Sequence, residues 1–384
     1  MTNYQTIYDN FSIKNLEDIV GVAWGQPFNA ADVLIHRHRQ DKKPAVRYHG
    51  KLGDSTWTFS DLSHAGGHLA GQLQRKGLRS GDVVAVFLPR IPELALVATA
   101  LWHLGAAYLP LFTAFGPESI AYRIQGSQAK LIVTDAAHRD VIAQVAGEVP
   151  VMTVDTSTHP QDWILSELLA QQGEEIPAVR LDPDMPFLYL FTSGTTGHPK
   201  AVPVPLKALY AFSGYMLWAV GMQKEDSYWN VADPGWAYGL YYGVVGSWLM
   251  GQTLHLTDLP FSPQMFRDIL ERFHITNLAA APTAYRMLMH APGEVWEGAD
   301  ISLQRASSAG EPLNPEAIRW FLDKFGVLVH DHYGQTELGM IINNHNALQQ
   351  DVQPGAMGKP MPGFEAVLLS EDGRIIEQAD RCGQ

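Results

Sequence analysis

Short apolar segments alternate with helix-length segments along most of this chain, and this alternation constrains the fold more than any other feature. Residues 82–89 (DVVAVFLP) have the character of a strand, and residues 91–105 (IPELALVATALWHLG) that of a helix ended by Gly105. Residues 130–135 (KLIVTD) have the character of the next strand. Strands that alternate with helices favour a mostly parallel sheet with helices on both faces. The sequence therefore predicts an α/β fold.

The alternation begins again near Asp184. Four further strand-like runs follow, at residues 186–193, 275–282, 302–310 and 326–334. We therefore expect two stacked, mostly parallel sheets flanked by helices, in an α/β unit at residues 1–180 and a second one at 181–353.

The character of the sequence changes after Pro354, where residues 355–378 suggest antiparallel strands. Asp372-Gly373 is a pair typical of a hairpin turn. We expect residues 354–384 to form the start of a small β-barrel subdomain. Because a lone hairpin is only marginally stable, the chain looks cut short at Gln384.

The charge and cysteine content exclude some classes of protein. Acidic residues outnumber basic ones, 40 against 27, which argues against a general nucleic-acid binder because phosphate contacts need a basic face. Cys382 is the single cysteine, which suits a reducing compartment and predicts a cytoplasmic protein. Two long apolar stretches, residues 94–112 and 239–256, are broken by Gly, His or Pro, so we interpret them as buried helices and predict no membrane span.

A loop rich in glycine and hydroxyl groups directly follows the strand-like run that begins at residue 186. Glycines let backbone N–H groups approach an anion closely, while hydroxyls and a lysine add donors and charge. The order is not that of a Walker A loop, because Ala201 follows Lys200 and two prolines prevent a helix from starting there. The loop predicts a phosphate site of another kind, made of Thr192, Ser193, Gly194, Thr195, Thr196, Gly197 and Lys200.

The segment LFTSGTTGHPKAV, residues 190–202, resembles the signature loop of the adenylate-forming superfamily, which includes acyl-CoA synthetases. The resemblance extends from about residue 57 to the end of the chain. It implies that ATP activates a carboxylic acid to an acyl-adenylate, which then forms a thioester with CoA. By the same resemblance, Thr192, Lys200, Thr336 and Glu337 are the catalytic residues, and Glu337 holds Mg²⁺, for which a carboxylate is a suitable hard ligand.

Two further segments resemble nucleotide-binding motifs of the same superfamily. In HYGQTELG, residues 332–339, the resemblance implies that Tyr333 packs on adenine and that Thr336 bonds the α-phosphate. In SSAGEPLNPEAIRWF, residues 307–321, it implies a loop that lines the base, followed by a helix capped by Asn314. The nucleotide-binding residues expected from these motifs are Gly310, Glu311, Pro312, Asp331, Tyr333, Gln335 and Thr336.

The segment ADPGWAYGLYYG, residues 232–243, resembles the part of the family that lines the acyl pocket, at Trp236, Ala237 and, from the neighbouring motif, Gly334. Core packing is the alternative for Trp236. In the family, strict acetate enzymes carry tryptophan at the position of Gly334, so glycine predicts a more open pocket. We therefore expect a medium-chain or bulkier acid rather than acetate, and not an amino acid.

The polar motifs share one position in the predicted fold, just past the end of a strand. In open α/β sheets, ligands bind beyond the carboxyl ends of the strands. The motifs at residues 192–200, 282–283, 309–312 and 333–337 therefore predict a single nucleotide site. In contrast, we interpret His330 and His332 as a satisfied or exposed pair rather than a metal site, and residues 36–39 (HRHR) as a solvated basic patch.

The family's ribose-binding aspartate and its C-terminal lid domain have no counterpart in this sequence. We therefore expect weak nucleotide binding and little full activity from these 384 residues. Two alternatives stay open. One is another carboxylate-adenylating chemistry, of the aryl-acid or oxygenase type. The other is a catalytically silent nucleotide- or acyl-binding module. A homodimer is a further expectation.

Overall fold

A computed structural model of the chain describes residues 2–173, 175–192 and 199–376. Its elements alternate as the sequence predicts. The strands are β1 Thr2–Asn3, β2 Pro44–Gly50, β3 Gly53–Thr58, β4 Val83–Phe87, β5 Ala107–Pro110, β6 Leu131–Thr134, β7 Val151–Thr153, β8 Trp163–Ile164, β9 Pro186–Thr192, β10 Lys200–Pro205, β11 Tyr228–Asn230, β12 Leu254–Leu256, β13 Asn277–Ala280, β14 Arg305–Ala309, β15 Val329–Gln335, β16 Gly339–Asn343, β17 Leu348–Gln349 and β18 Lys359–Pro360.

Most helices lie between successive strands and cover the sheets. The α-helices are α1 Tyr4–Asp9, α2 Lys14–Val20, α3 Ala30–Leu34, α4 Phe59–Arg75, α5 Pro92–Leu104, α6 Pro117–Ser127, α7 Arg139–Ala143, α8 Leu165–Ala170, α9 Ala208–Gly214, α10 Gly246–Leu249, α11 Pro263–Arg272, α12 Pro282–Met289 and α13 Pro315–Phe325. The π-helical segment Tyr215–Ala219 directly follows α9, and the π-helical segment Tyr238–Val245 directly precedes α10.

Two large sheets form the frame of the molecule. A seven-stranded sheet has the order β10-β9-β5-β4-β6-β7-β8, and only β10 runs antiparallel to its neighbour. A six-stranded sheet has the order β11-β13-β14-β15-β16-β18, with its first four strands parallel. The expected α/β class with mostly parallel sheets is confirmed. The first sheet continues past residue 180, and the division into units at residues 180 and 353 stays a prediction.

Local signals explain where the main helices begin and end. Helix α5 starts with Pro92 in its first turn and ends at Gly105, whose φ of 77° is left-handed and therefore suits glycine. Helix α13 starts after Asn314, whose side chain accepts a bond from the Glu316 N–H, as predicted. Both sequence-based boundaries are confirmed.

The segment after Pro354 contains less strand than the sequence suggested. Among the described residues of this segment, which end at residue 376, antiparallel pairing consists of β18 with β16 and an isolated bridge between Leu369 and Ile375. Gly373, with a φ of 77°, forms the predicted turn. Because Leu368 and Ile375 are exposed, this hairpin lacks a packed face.

The basic segment at residues 36–39 is only partly the solvated patch that the sequence suggested, because Arg37 and Arg39 are exposed whereas His36 and His38 are half-buried. Arg37 donates to the carbonyls of Ile19, Val20 and Leu249, and so joins α2 to the end of α10. His36 bonds Ser63 at 2.7 Å and His103 at 2.8 Å. These bonds could not be predicted from the segment itself, because the partners lie far away along the chain.

The histidines at 330 and 332 are a satisfied pair, as the sequence predicted. Both imidazoles bond the backbone carbonyl of Asn344, at 2.9 and 3.0 Å. The other ring nitrogen of His332 lies 2.8 Å from the Tyr215 hydroxyl. Burial lowers the pKa of both imidazoles, so both stay neutral.

Candidate active site

A cavity of about 580 Å³ opens beside the carboxyl ends of β13, β14 and β15. These strands are parallel neighbours, so the residues that follow them meet at one edge of the sheet. Many of the lining residues belong to the predicted motifs, and the wall comprises Ala232, Asp233, Trp236, Ala237, Tyr238, Tyr241, Tyr242, Ala281, Ala309, Gly310, Glu311, Gly334, Gln335, Thr336, Gly339 and Met340.

The two large sheets meet at this edge through a side-chain contact. The Thr192 hydroxyl, at the end of β9, donates to a carboxylate oxygen of Glu337 at 3.2 Å. Glu337 follows β15 of the other sheet and is exposed. Two of the four predicted catalytic residues therefore touch, although 145 positions separate them.

The glycine-rich loop joins β9 to β10. Lys200 is exposed at the start of β10 and pairs with Thr192 in the antiparallel ladder. This pairing places the lysine at the carboxyl end of β9, beside the entrance to the loop. The other predicted loop residues lie outside the described residues, namely Ser193, Gly194, Thr195, Thr196 and Gly197.

The loop after β14 forms one side of the cavity. Gly310 has a φ of 103°, a conformation that favours glycine. Glu311 pairs with Arg286 of α12 at 2.8 Å, and the Thr283 hydroxyl lies 3.3 Å from the same carboxylate. Pro312 is exposed beyond the lining, so the structure brings only two of the three predicted loop residues to the cavity.

Asp331 lies behind this loop rather than in the cavity wall. Its carboxylate is 8 % exposed and accepts a long bond, 3.4 Å, from the Leu313 N–H. Its other oxygen is buried and has no hydrogen-bond partner among the residues that the structure describes. Burial raises the pKa of Asp331 to about 6, and backbone N–H groups only partly offset this effect.

The hairpin of β15 and β16 carries the remaining motif residues. Gln335 and Thr336 line the cavity, and the Thr336 carbonyl accepts a bond from the Tyr241 hydroxyl at 3.1 Å. Tyr333 is 37 % exposed, with its hydroxyl 3.4 Å from the Gln335 amide. Gly334 sits at an irregularity in the ladder, where the register shifts.

Aromatic rings form the opposite wall. Trp236 is 46 % exposed, so it is not a core residue, and its ring lies 5.8 Å from that of Phe112 and 5.6 Å from that of Phe115. Ala237 follows it in the lining. The acyl-pocket residues predicted from the sequence, Trp236, Ala237 and Gly334, thus border one space.

Several residues of this wall were not singled out from the sequence. Tyr238, Tyr241 and Tyr242 lie in the segment 232–243 that was expected to line the acyl pocket, but only Trp236 and Ala237 were named there; the three tyrosines lie on its π-helical part. A π-helix within a helical stretch is often found at a functional site. Arg286 and Met340 also carried no recognisable signal, because both act through residues distant in sequence.

The oxygen atoms at Glu337 and Thr192 suit Mg²⁺ as a hard cation. Among the described residues, no group of three or more His, Cys, Asp or Glu side chains could hold a metal ion. Magnesium usually binds through one or two carboxylates together with waters and substrate phosphates. A single exposed carboxylate beside a phosphate-type loop fits that pattern.

Comparison with known proteins agrees with this geometry. The AMP-binding enzyme family matches residues 35–383. The chain belongs to this family. Its members among the curated proteins include the acetyl-coenzyme A synthetase of Bacillus subtilis, which is 33 % identical over 98 % of this chain and 67 % of its own length.

Other relatives agree with this assignment. The mitochondrial acyl-coenzyme A synthetase ACSM4 of Rattus norvegicus is 32 % identical over 90 % of this chain, which spans 62 % of that protein. A crystal structure of Brucella canis acyl-CoA synthetase superposes with a TM-score of 0.95 at 39 % identity, over 99 % of this chain and 70 % of that one. The chain therefore spans about two thirds of the length of its relatives.

No helix in the described part of the chain is both long and apolar enough to cross a membrane.

Proposed function

We propose that this chain carries the nucleotide- and acid-binding part of an AMP-forming acid–thiol ligase, which activates a carboxylic acid with ATP and transfers the acyl group to CoA. One observation supports this most strongly: the Thr192–Glu337 contact lies at the same sheet edge as a cavity lined by both the adenine-loop and the acyl-pocket motifs. The named relatives are acetyl- and acyl-CoA synthetases. They favour this function over the aryl-acid, oxygenase and silent-module alternatives.

In the proposed reaction, a carboxylate oxygen of the acid attacks the α-phosphorus of ATP in line, and pyrophosphate leaves. The protein contributes positioning and charge neutralisation. Thr336 is proposed to bond the α-phosphate, while Lys200 and the loop hydroxyls neutralise the leaving pyrophosphate. Bound at Glu337, Mg²⁺ would supply further positive charge to the phosphates.

The adenine is proposed to lie between the Gly310 loop and the hairpin that carries Tyr333 and Gln335. Arg286 holds Glu311 through an ion pair, which fixes the edge of this loop. Asp331 supports the loop from behind, through the Leu313 N–H. These residues would position the nucleotide rather than react with it.

The acid is proposed to lie between Trp236 and Gly334, with its tail against the tyrosine wall. Asp233 already accepts a bond from the Gly235 N–H at 2.7 Å and faces Arg90 at 4.0 Å, which disfavours a substrate ammonium as its partner. The apolar wall favours a medium-chain acid over acetate, because each buried CH₂ adds about 0.8 kcal/mol to binding. The cytoplasmic location and the homodimer stay predictions.

Calorimetric titration of this chain with a non-hydrolysable butanoyl-AMP mimic, an acyl sulfamate of adenosine, tests the proposal. We expect saturable binding that weakens about tenfold or more in Thr336→Ala and is absent for the guanosine analogue. Equal binding of the adenosine and guanosine compounds would contradict a nucleotide site. A Thr158→Ala variant, altered at an exposed position outside the cavity lining, is the matched control.

A further inference from the structure

Gly334 cannot carry a side chain in this backbone. It lies opposite Met340 in the β15–β16 ladder. A Cβ atom at position 334 would lie 2.2 Å from the Gly339 carbonyl oxygen and 2.7 Å from the Met340 Cα. Since both are backbone atoms, a larger residue at 334 would have to displace the hairpin itself. In this backbone the geometry of the hairpin, and not only the space left for the substrate, therefore restricts position 334 to glycine.

The space above Gly334 is taken by the side chain of Met340. The Met340 sulfur lies 2.7 Å from the position of that absent Cβ atom, and Met340 also lines the cavity. Its backbone is anchored, because its N–H donates to the Tyr242 hydroxyl at 2.9 Å. An unbranched thioether on an anchored backbone can change rotamer without moving the strand. The Met340 side chain can therefore adapt to a ligand while its backbone stays in the ladder.

We propose that Met340 is the residue that determines the length of acyl chain this site accepts. The inference rests on the proposed function, since it concerns the acid bound in the same cavity. The thioether covers Gly334 and closes the pocket to long chains, and it yields to an unbranched chain of short to medium length. Chain-length selection then depends on Met340, and a bulky residue at 334 would disrupt the hairpin rather than shorten the pocket.

The test measures the Kd of adenosine acyl sulfamates with two-, four-, six- and eight-carbon chains on this chain and its variants. In the wild type, Kd should fall about fourfold per added CH₂ until the pocket is full, and then stop falling. In Met340→Ala the fall should continue for at least two more carbons. In Met340→Phe it should stop at least two carbons earlier, and Met340→Leu should resemble the wild type.

Two control variants make the result specific. Met287→Ala alters an exposed methionine on α12, outside the cavity, and should keep the wild-type profile. Gly334→Trp should lower the Tm and weaken all chain lengths together. A stable Gly334→Trp protein with a shortened profile would overturn the proposal, because position 334 would then control the length.

Failure of this inference can be told apart from failure of the proposed function. If every mimic binds but Met340→Ala and Met340→Phe keep the wild-type profile, the role of Met340 is wrong and the adenylate site stands. If no mimic binds, including the two-carbon one, the proposed function fails and this inference with it.

Discussion

Glu337 is the residue through which the proposed chemistry is most directly testable. Its carboxylate is exposed and receives the Thr192 hydroxyl from the other large sheet. In the proposed reaction, the Glu337 carboxylate and the Thr192 hydroxyl would have to bind a cation and a neighbouring phosphate. The charge of Glu337, rather than its hydrogen bond, should therefore determine the effect of magnesium.

We expect Glu337→Gln to remove most of the dependence of ATP binding on Mg²⁺. Glutamine keeps the size and can still accept the Thr192 bond, but it lacks the charge that a hard cation requires. The Kd of ATP is measured once in the presence of Mg²⁺ and once in the presence of EDTA. The ratio of the Kd in EDTA to the Kd in Mg²⁺ should be about tenfold or more lower in the variant than in the wild type. Glu294→Gln, an exposed change on the short 3-10 helix Gly293–Trp296, should leave the ratio unaltered. An unaltered ratio in Glu337→Gln would exclude Glu337 as the metal ligand.

Asp331 should make stability depend on pH. Its pKa is raised to about 6 in the folded chain, mainly by burial, whereas an unfolded aspartate titrates near 4. Between these two pKa values the folded state binds more protons than the unfolded state. The contribution of Asp331 to stability is therefore lost as the pH rises from about 4 to 6, and it does not change further above that range.

We expect Asp331→Asn to flatten this part of the pH profile. The difference in the free energy of unfolding between pH 8 and pH 4.5 is the quantity to compare. Because the variant lacks the buried charge, this difference should be more favourable to the folded state than in the wild type, on the order of 2 kcal/mol. Urea denaturation at both pH values checks this. Asp323→Asn, at an exposed position on α13, should leave the profile unaltered, and a wild-type profile in Asp331→Asn would contradict the assignment.

At the scale of secondary-structure elements, Asn29 joins three parts of the first half of the chain. Its side-chain oxygen caps α3 by accepting from the Ala31 N–H at 2.8 Å. Its amide donates to the carbonyls of Trp102 at 2.8 Å and Val179 at 2.7 Å, so α5 and the segment before β9 are held to α3. Asn29 is 1 % exposed, so no water replaces these bonds readily.

We expect Asn29→Ala to lower the free energy of unfolding by about 2–4 kcal/mol, because it removes a cap and leaves buried carbonyls without a donor. Asn314→Ala removes an exposed cap on α13 and should cost only about 1 kcal/mol. Denaturant titration of both variants makes the comparison. Equal losses would show that the buried bonds of Asn29 contribute little.

At the scale of the whole molecule, the first helix holds a segment more than 300 residues away. The Tyr4 hydroxyl donates to the Pro360 carbonyl and the Tyr8 hydroxyl to the Phe364 carbonyl, both at 2.9 Å. β1 pairs with β17, and Lys359 lies over the Tyr4 ring at 4.9 Å. Through β18 and β16 this clasp reaches the hairpin that carries the candidate site.

We expect the double variant Tyr4→Phe, Tyr8→Phe to loosen residues 348–364 selectively. Phenylalanine keeps the rings but loses two hydrogen bonds, so local opening should increase about tenfold. Hydrogen exchange followed by mass spectrometry reports this segment directly. Tyr210→Phe, which loses a similar bond to the Val22 carbonyl, should not change exchange at 348–364. Unchanged exchange in the double variant would disprove the clasp.

Individual residues show which features of the fold and of the candidate site could be predicted from the sequence. Gly105 and Asn314 mark helix ends by their own chemistry, and both were predicted correctly. The basic segment at 36–39 was predicted only in part: its arginines are exposed, but the bonds of Arg37 and His36 were missed because the partners lie 17 to 212 positions away. The strand-end motifs and the segment 232–243 of the candidate site were identified from the sequence, whereas the individual tyrosines of that segment, Arg286 and Met340 were not.

The sequence by itself determined the order of strands and helices, the helix caps and the polar motifs beyond the strand ends, because these depend on residues that are neighbours along the chain. Tertiary structure alone decided that Thr192 meets Glu337, that Asp331 is buried behind the loop that follows β14, and that Met340 covers Gly334. These contacts follow from how two sheets dock and how one ladder shifts its register. The residue pattern of a single strand predicts neither the docking of the two sheets nor the register shift.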